Sequence, residues 1–198
     1  MLRSGAFFAR IATFTVSLAL LVVAGAAVAG PLEDAVAAVE RRDYATALRL
    51  FRSLADQGDD VALFDLGVMS NNGWGVPRDY AQAARWYRLA AAQGNADAQF
   101  NLGILYDDGR QYAEAVKWYR KAAHQGLADA QFNLGLLYAK GQGVPRDYVQ
   151  AYMWFELSAG QDDKSALSNR DAAARRMTSE QIAEAQQLAR EWQPKPGQ

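Results

Sequence analysis

The octapeptide Ala-Asp-Ala-Gln-Phe-Asn-Leu-Gly fills Ala96–Gly103 and recurs unchanged at Ala128–Gly135, 32 residues later. A hexapeptide, Gly-Val-Pro-Arg-Asp-Tyr, likewise fills Gly75–Tyr80 and recurs at Gly143–Tyr148. Self-similarity at a fixed period of about 20–50 residues is the signature of a solenoid, in which copies of one small unit stack on each other. The repeat therefore decides the fold.

Three aromatic pairs give the length of the repeated unit. They lie at spacings of 32 and 36 residues, at Trp86-Tyr87, Trp118-Tyr119 and Trp154-Phe155. The unit is therefore 36 residues long, and its middle copy is four residues shorter. The shortening lies where the eight residues Gly73–Tyr80 correspond to the four residues Gly109–Tyr112.

Each unit is predicted to form two helices. In the middle copy, apolar and small residues recur at steps of three and four within 98–106 and again within 112–122, and this is the helical period. Gly109 separates the two segments. The sequence predicts about nine helices after residue 30 and no strand, which is an all-α fold.

Polar residues and glycines mark the ends of the second helices. A polar residue is followed three positions later by Glu or Gln at Asp79/Gln82, Gln111/Glu114 and Asp147/Gln150, which predicts capping of the helix start. Glycines at 94 and 126 are expected to end these helices in the left-handed conformation.

Three glycines fall inside the predicted first helices, at Gly67, Gly103 and Gly135. A glycine in a helix costs about 1 kcal/mol relative to alanine. We expect the missing side chain to let the second helix approach closely, with its alanines opposite the glycines.

The strings AQFNLGILYDDG (98–109), GVPRDY (75–80) and AEAVKWYRKAAHQG (113–126) resemble the Sel-one-like repeat, a relative of the tetratricopeptide repeat. The resemblance implies a right-handed α/α solenoid of helix hairpins that acts as an adaptor or scaffold. Bacterial members of this family are often exported, and some regulate membrane sensors or assist envelope assembly. A cysteine-rich branch has been linked to penicillin binding, but this chain has no cysteine, so that activity is not carried over.

The repeat phase divides the chain into segments. We predict a signal peptide at 1–29, a degenerate repeat at 30–61, and repeats at 62–97, 98–129 (the shorter copy) and 130–163. Residues 164–198 are predicted to form C-terminal capping helices, because the repeat pattern decays there. Thr178-Ser179-Glu180-Gln181 reads as a capping box that opens a helix reaching Trp192.

The N-terminal segment has the features of an export signal. Arg3 and Arg10 precede an apolar run that ends in Ala27-Val28-Ala29, whose small residues suit a signal peptidase. The alternative is an uncleaved membrane anchor, because about 20 apolar residues can span a bilayer. We expect cleavage after Ala29 and a periplasmic or secreted protein without membrane insertion after cleavage.

The composition of the 198 residues excludes several classes of site. Without cysteine the chain has no disulfide, thiol nucleophile or cysteine-ligated zinc. With 21 basic against 22 acidic residues there is no electrostatic argument for binding nucleic acid. We therefore expect no metal and no cofactor.

Few residues remain as candidates for catalysis. His124 is the only histidine; it is either a general base or an exposed surface residue, and we favour the surface reading. The acidic pairs Asp59-Asp60, Asp107-Asp108 and Asp162-Asp163 lack the ligand spacing of a calcium loop, so we assign them to helix capping and solubility. Trp74, in a predicted turn, is either a contact residue or packs on its own hairpin.

The first helices of successive repeats are expected to line a concave groove, by analogy with the tetratricopeptide repeat. Residues off their core-facing side follow an i, i+4, i+7 stripe. These candidate protein-binding residues are Phe64, Asp65, Val68 and Asn71; Phe100, Asn101, Ile104 and Asp107; Phe132, Asn133, Leu136 and Ala139. Either they contact a partner, with the amides clamping its backbone, or the phenylalanines are ordinary core between repeats.

Two functions remain open on the sequence. The first is a non-catalytic adaptor that holds a protein or peptide partner, possibly in envelope assembly or signalling. The alternative is a cell-envelope hydrolase of peptidoglycan or polysaccharide that uses groove carboxylates. We favour the adaptor, because no catalytic constellation remains once the repeat is accounted for.

Overall fold

The computed structural model describes residues 30–161 and 163–195. These residues form ten α-helices and no strand, one helix more than expected, and the predicted signal segment lies outside them. The helices are α1 (Pro31–Glu40), α2 (Tyr44–Ala55), α3 (Asp60–Asn72), α4 (Tyr80–Ala92), α5 (Ala96–Asp108), α6 (Tyr112–His124), α7 (Ala128–Lys140), α8 (Tyr148–Ala159), α9 (Lys164–Ala174) and α10 (Ser179–Glu191).

From α1 to α9, each helix packs against the next one in the chain. This arrangement is the right-handed α/α solenoid that the family resemblance implies. We call α3, α5 and α7 the A helices and α2, α4, α6 and α8 the B helices. A solenoid has no single core, and the buried residues accordingly form separate clusters between successive helix pairs.

The close approach of A and B helices is made by an aromatic ring over a glycine. A Cβ on Gly135 would lie 2.7 Å from Cε1 of Phe155, and one on Gly103 would overlap the ring of Tyr119. The prediction that alanines lie opposite the glycines is therefore wrong. The second member of each aromatic pair fills the space instead, which is why Tyr119 and Phe155 are each only 1% exposed.

Side-chain capping matches the sequence at some helix starts and not at others. Asp79 accepts from the backbone N–H groups of Ala81 and Gln82, and Asp147 accepts from that of Gln150. Gln111, in contrast, makes no capping hydrogen bond at the start of α6. Glycines 94 and 126 follow α4 and α6 with φ of 96° and 99°, which confirms their left-handed conformation.

The seven-residue loops at 73–79 and 141–147, each inside a repeat, pack on the preceding repeat. A Cβ on Gly75 would lie 2.8 Å from Cβ of Tyr44 at the start of α2, and Gly143 approaches the backbone of Tyr112 at the start of α6 just as closely. The shorter loop of the middle repeat, at 109–111, lacks the residues that would pack on the start of α4 in the same way. Tyr80, the residue there, is 55% exposed.

The C-terminal end departs from the hairpin pattern. Thr178 and Gln181 form the predicted capping box at the start of α10. The helix then packs chiefly on α8 rather than on its sequence neighbour α9. It brings Trp192 to an edge-to-face contact with Trp154, their ring centroids 6.4 Å apart.

Candidate functional site

The face of the A helices carries the predicted stripe. Every candidate groove residue from Phe64 to Ala139 is half-buried; none is fully buried and none is fully exposed. Their i, i+4, i+7 spacing places them on one side of each A helix, and the three helices follow each other in the solenoid. We call this surface, made by the stripe residues of α3, α5 and α7, the A face.

The three phenylalanines of the stripe repeat one contact. Phe64 packs on Tyr87, Phe100 on Tyr119 and Phe132 on Phe155, with ring centroids 5.7, 5.8 and 5.7 Å apart. Each phenylalanine ring thus contacts the aromatic residue that packs against the A-helix glycine in the same hairpin. The phenylalanines therefore contribute to the core on one side and leave their other side on the A face.

The amides of the stripe are partly engaged within the chain. Nδ2 of Asn101 donates to the carbonyl oxygen of Asp97, 2.8 Å away in the same helix. Burial raises the pKa of Tyr119, and the nearby side chain of Asn133 lowers it. A bound backbone could use only the hydrogen-bonding capacity that Asn101 has left after its bond to Asp97.

Asp65 stands where the next two repeats have Asn101 and Asn133. Burial, with added repulsion from Asp59 and Asp97, raises the pKa of Asp65 to about 7. Burial and the nearby charge of Asp129 also raise the pKa of Asp97. Asp65 therefore keeps a proton part of the time near neutral pH, because burial removes water that would stabilise its carboxylate.

The acidic pair Asp107-Asp108 lies at the C-terminal end of α5. A helix dipole disfavours negative charge there, so the assignment of this pair to capping is wrong. Burial, then the charge of Asp108, raises the pKa of Asp107, whereas Lys140 lowers it. Asp59 and Asp163, by contrast, cap the starts of α3 and α9 as expected.

His124 is not the exposed surface residue that the sequence suggested. Its ring packs edge-to-face on Trp154 at 5.4 Å, and its carbonyl oxygen accepts from the backbone N–H of Lys195. Burial, with Lys195 and Arg120 nearby, lowers the pKa of His124. Its Nδ1 atom and the indole nitrogens of Trp154 and Trp192 are buried without hydrogen-bond partners in the described structure.

The remaining candidate, Trp74, packs on the preceding hairpin rather than on its own. Its ring stacks on that of Tyr44 of α2, with centroids 5.7 Å apart and an interplanar angle of 11°.

No group of three or more His, Asp or Glu side chains that could hold a metal occurs within 30–161 and 163–195. None of the helices in those ranges combines the length and apolar character needed to cross a membrane.

A relay of hydrogen-bonded glutamines, which sequence reasoning did not predict, links the two helices of a repeat and reaches the end of the preceding repeat. Gln99, 1% exposed, accepts at Oε1 from Nε2 of Gln125, which also donates to the carbonyl of Gly94. Gln131 and Gln161 repeat this contact one unit further on. The signal was present in the two copies of the octapeptide, whose glutamine falls among core positions.

Comparisons with known proteins agree with this architecture. A model of the Sel1 repeat matches residues 37–59, 60–95, 96–127 and 128–163. The chain is similar to a Sel1 repeat protein from Oxalobacter formigenes, with 33% identity and a TM-score of 0.68 over 70% of this chain and 59% of that one. The chain thus matches less than two thirds of the length of that relative.

A second similar structure is c5321, a protective antigen of uropathogenic Escherichia coli strains that displays an SLR fold. Identity is 30% and the TM-score 0.46, over 77% of this chain and 41% of that one. No curated protein matches the chain. Sel1 repeat proteins are typically protein-interaction scaffolds. Because the four matched repeats cover more than half of the sequence, the chain belongs to the Sel1 repeat family.

Proposed function

We propose that the chain is a non-catalytic scaffold that binds a protein or peptide partner on the A face. The observation that carries the proposal is the continuous stripe of half-buried apolar side chains across α3, α5 and α7. Such side chains gain further burial when a partner covers them, and Phe, Ile and Leu provide anchors of suitable size. In a tetratricopeptide-like solenoid this face is the concave groove.

The site of action is the periplasm or the cell exterior, reached by cleavage after Ala29. The support is the sequence of residues 1–29, with its two arginines, apolar run and small residues at the end. N-terminal sequencing of the protein purified from its native host should begin at Gly30. Recovery of the full-length chain in the membrane fraction would favour the anchor.

The binding role is tested by replacing Ile104 and Asn101 with serine and crosslinking the protein to its partners in envelope extracts. We expect the variant to lose partner capture while circular dichroism shows unchanged helicity. Leu89→Ser is the matched control, because Leu89 is 51% exposed on B helix α4. Equal capture by the parent and the Ile104 variant would contradict binding on the A face.

A hydrolase remains the competing function, because Asp65 keeps its proton near neutral pH and lies close enough to Asp97 for their charges to interact. A protonated carboxyl beside a second one is what general acid catalysis requires. If the purified protein hydrolyses peptidoglycan or polysaccharide, and Asp65→Asn abolishes this activity, the protein is a hydrolase and the scaffold function is refuted.

A further inference from the structure

We propose that the surface of α4 around Tyr80 and Ala84 binds an extended segment of another protein, in which a glycine lies between an aromatic residue and Val-Pro. We call this surface the tyrosine site. It belongs to a B helix and is separate from the A face, so the inference goes beyond the proposed function. It follows from what the chain itself places on the equivalent surfaces of the other B helices.

All four B helices begin with a tyrosine, and the residue four positions later lies on the same side of the helix. In α2, α6 and α8 both members of this pair are at least half-buried, whereas in α4 the tyrosine is 55% exposed. The pairs are Tyr44 and Leu48, Tyr80 and Ala84, Tyr112 and Val116, and Tyr148 and Tyr152.

The loop at 73–79 covers the pair on α2. The ring of Trp74 stacks on Tyr44, and a Cβ on Gly75 would lie 2.9 Å from Cδ1 of Leu48. The φ of Gly75 is 69°, in the left-handed region that glycine adopts at little cost. An aromatic ring and a glycine in direct contact with the helix are thus the two features by which this segment fits.

The loop at 141–147 covers the pair on α6 in the same way. Gly143 has φ of 73° and lies so close to the backbone of Tyr112 that a Cβ would overlap it. Val144 and Tyr112 both pack against the buried cluster that includes Val116. The two loops share the sequence Gly-Val-Pro-Arg-Asp, so the chain uses one kind of segment twice to cover this surface.

The pair on α8 is covered by a different element. Tyr148 and Ile182 of α10 pack against the cluster that contains Tyr152, whose hydroxyl oxygen accepts from Nε2 of Gln186. A loop or a helix can therefore serve as the cover. In three of the four B helices the fold buries this surface under another part of the chain.

Within the described residues, no loop or helix covers the pair on α4 in this way. The loop that would do so, at 109–111, is four residues shorter and lacks the Gly-Val-Pro part. Ala84 is also the smallest of the four residues at its position, which leaves room beside the ring of Tyr80 for an incoming side chain.

The tyrosine site lies between two covered sites of the same row, those on α2 and α6. A bound segment therefore continues an interface that the chain already forms on both sides. By analogy with the covering loops, the aromatic ring of the segment stacks on Tyr80 and its glycine passes over the helix backbone. Val-Pro keeps the segment extended, because proline restricts both itself and the preceding residue.

The test uses the covering loop as a free peptide. Fluorescent Asn-Gly-Trp-Gly-Val-Pro-Arg-Asp, the sequence of residues 72–79, should bind the purified chain from Gly30 in fluorescence polarisation. Alanine in place of the second glycine should weaken binding about tenfold, because its Cβ then meets the helix. Tyr80→Ser should weaken binding about fivefold. Leu89→Ser, on the same helix and 51% exposed, is the matched control and should have little effect.

A loop graft provides the converse test. Replacing residues 109–111 with Gly-Trp-Gly-Val-Pro-Arg-Asp should abolish peptide binding, because a tethered cover competes at high effective concentration. The control graft, Gly-Ser-Gly-Ser-Ser-Arg-Asp, has the same length without the aromatic and Val-Pro residues and should leave binding nearly unchanged. Two other repeats already contain a loop of this length, so both variants should fold, which thermal melts check.

Each other outcome refutes the proposal. Equal binding by the parent and Tyr80→Ser, or by the two grafts, would place the peptide elsewhere. Loss of binding when Ile104 and Asn101 are replaced with serine would place it on the A face. No binding at chain concentrations up to about 1 mM would show that α4 does not take this segment. Dimers of the peptide-free chain in analytical ultracentrifugation that only the first graft abolishes would identify a second copy as the occupant, and not a separate partner.

Discussion

Asp65 is one carboxyl group in a position where the fold otherwise uses an amide. Its pKa is raised from 3.8 to about 7, so the folded state favours the protonated form. The stability associated with this proton is fully present below pH 4 and is lost as pH rises through 7. Asp65→Asn should therefore raise the free energy of unfolding by about 1–3 kcal/mol at pH 8 and by much less at pH 5.

Urea denaturation at the two pH values measures this difference. Glu184→Gln removes an exposed carboxylate and should change stability by less than about 0.5 kcal/mol at either pH. A destabilised Asp65→Asn variant at pH 8 would show that the carboxylate has a stabilising partner.

Gly103 is the point of closest approach between α5 and α6. Because a Cβ there overlaps the ring of Tyr119, Gly103→Ala should cost about 1–3 kcal/mol despite the better helix propensity of alanine. Gly109→Ala is the control, since a Cβ at that position meets its nearest atom at 3.4 Å and φ is −75°. Equal thermal midpoints for the two variants would refute the role of the ring.

At the scale of the helices, the glutamine relay ties α5 to α6 and both of them to the end of α4 in the preceding repeat. Gln99 is buried against the end of α4 and accepts from Gln125 at the end of α6, so it links two B helices through α5. A double-mutant cycle of Gln99→Leu and Gln125→Ala should give a coupling energy of about 0.5–2 kcal/mol. Gln99→Leu and Gln161→Ala, which share no hydrogen bond among those described, should be additive.

The repeat at 62–97 offers an internal reference for this contact. Leu63 occupies the position that corresponds to Gln99, so the site accepts leucine without steric conflict. The cost of Gln99→Leu will therefore come from the lost hydrogen bonds and not from misfit.

At the scale of the whole molecule, α10 closes the C-terminal end by covering α8. Trp154 is 3% exposed, whereas the equivalent Trp86 and Trp118 are half-buried, because Trp192 lies against it. Trp192→Ala should cost about 2–4 kcal/mol and broaden the unfolding transition. Trp192→Phe should retain most of the stability, since the buried indole nitrogen has no partner in the described structure.

Calorimetry of both variants measures the loss of stability and the width of the unfolding transition in one experiment. In a solenoid each repeat is stabilised by its neighbours, so loss of the end cover should let the last hairpin unfold before the rest. A parent-like single transition in Trp192→Ala would show that α10 contributes little.

The repeat length, the alternation of helices, the left-handed glycines after α4 and α6, and the family could all be predicted from the amino-acid sequence. These features depend on residues within about four positions of each other or on identical strings one repeat apart, and both can be read along a chain. The placement of Phe64, Phe100 and Phe132 on one side of their helices follows from the same helical period.

Which residues meet between different helices could be seen in the folded protein alone. The ring of Tyr119 over Gly103, the pairing of Gln99 with Gln125 and the packing of α10 on α8 each join residues 16 to more than 25 positions apart. Local propensity carries no information about such contacts, because their energy comes from shape and burial in the assembled helices. The raised pKa of Asp65 also depends on the folded structure, because it is caused mainly by the burial of its carboxyl group.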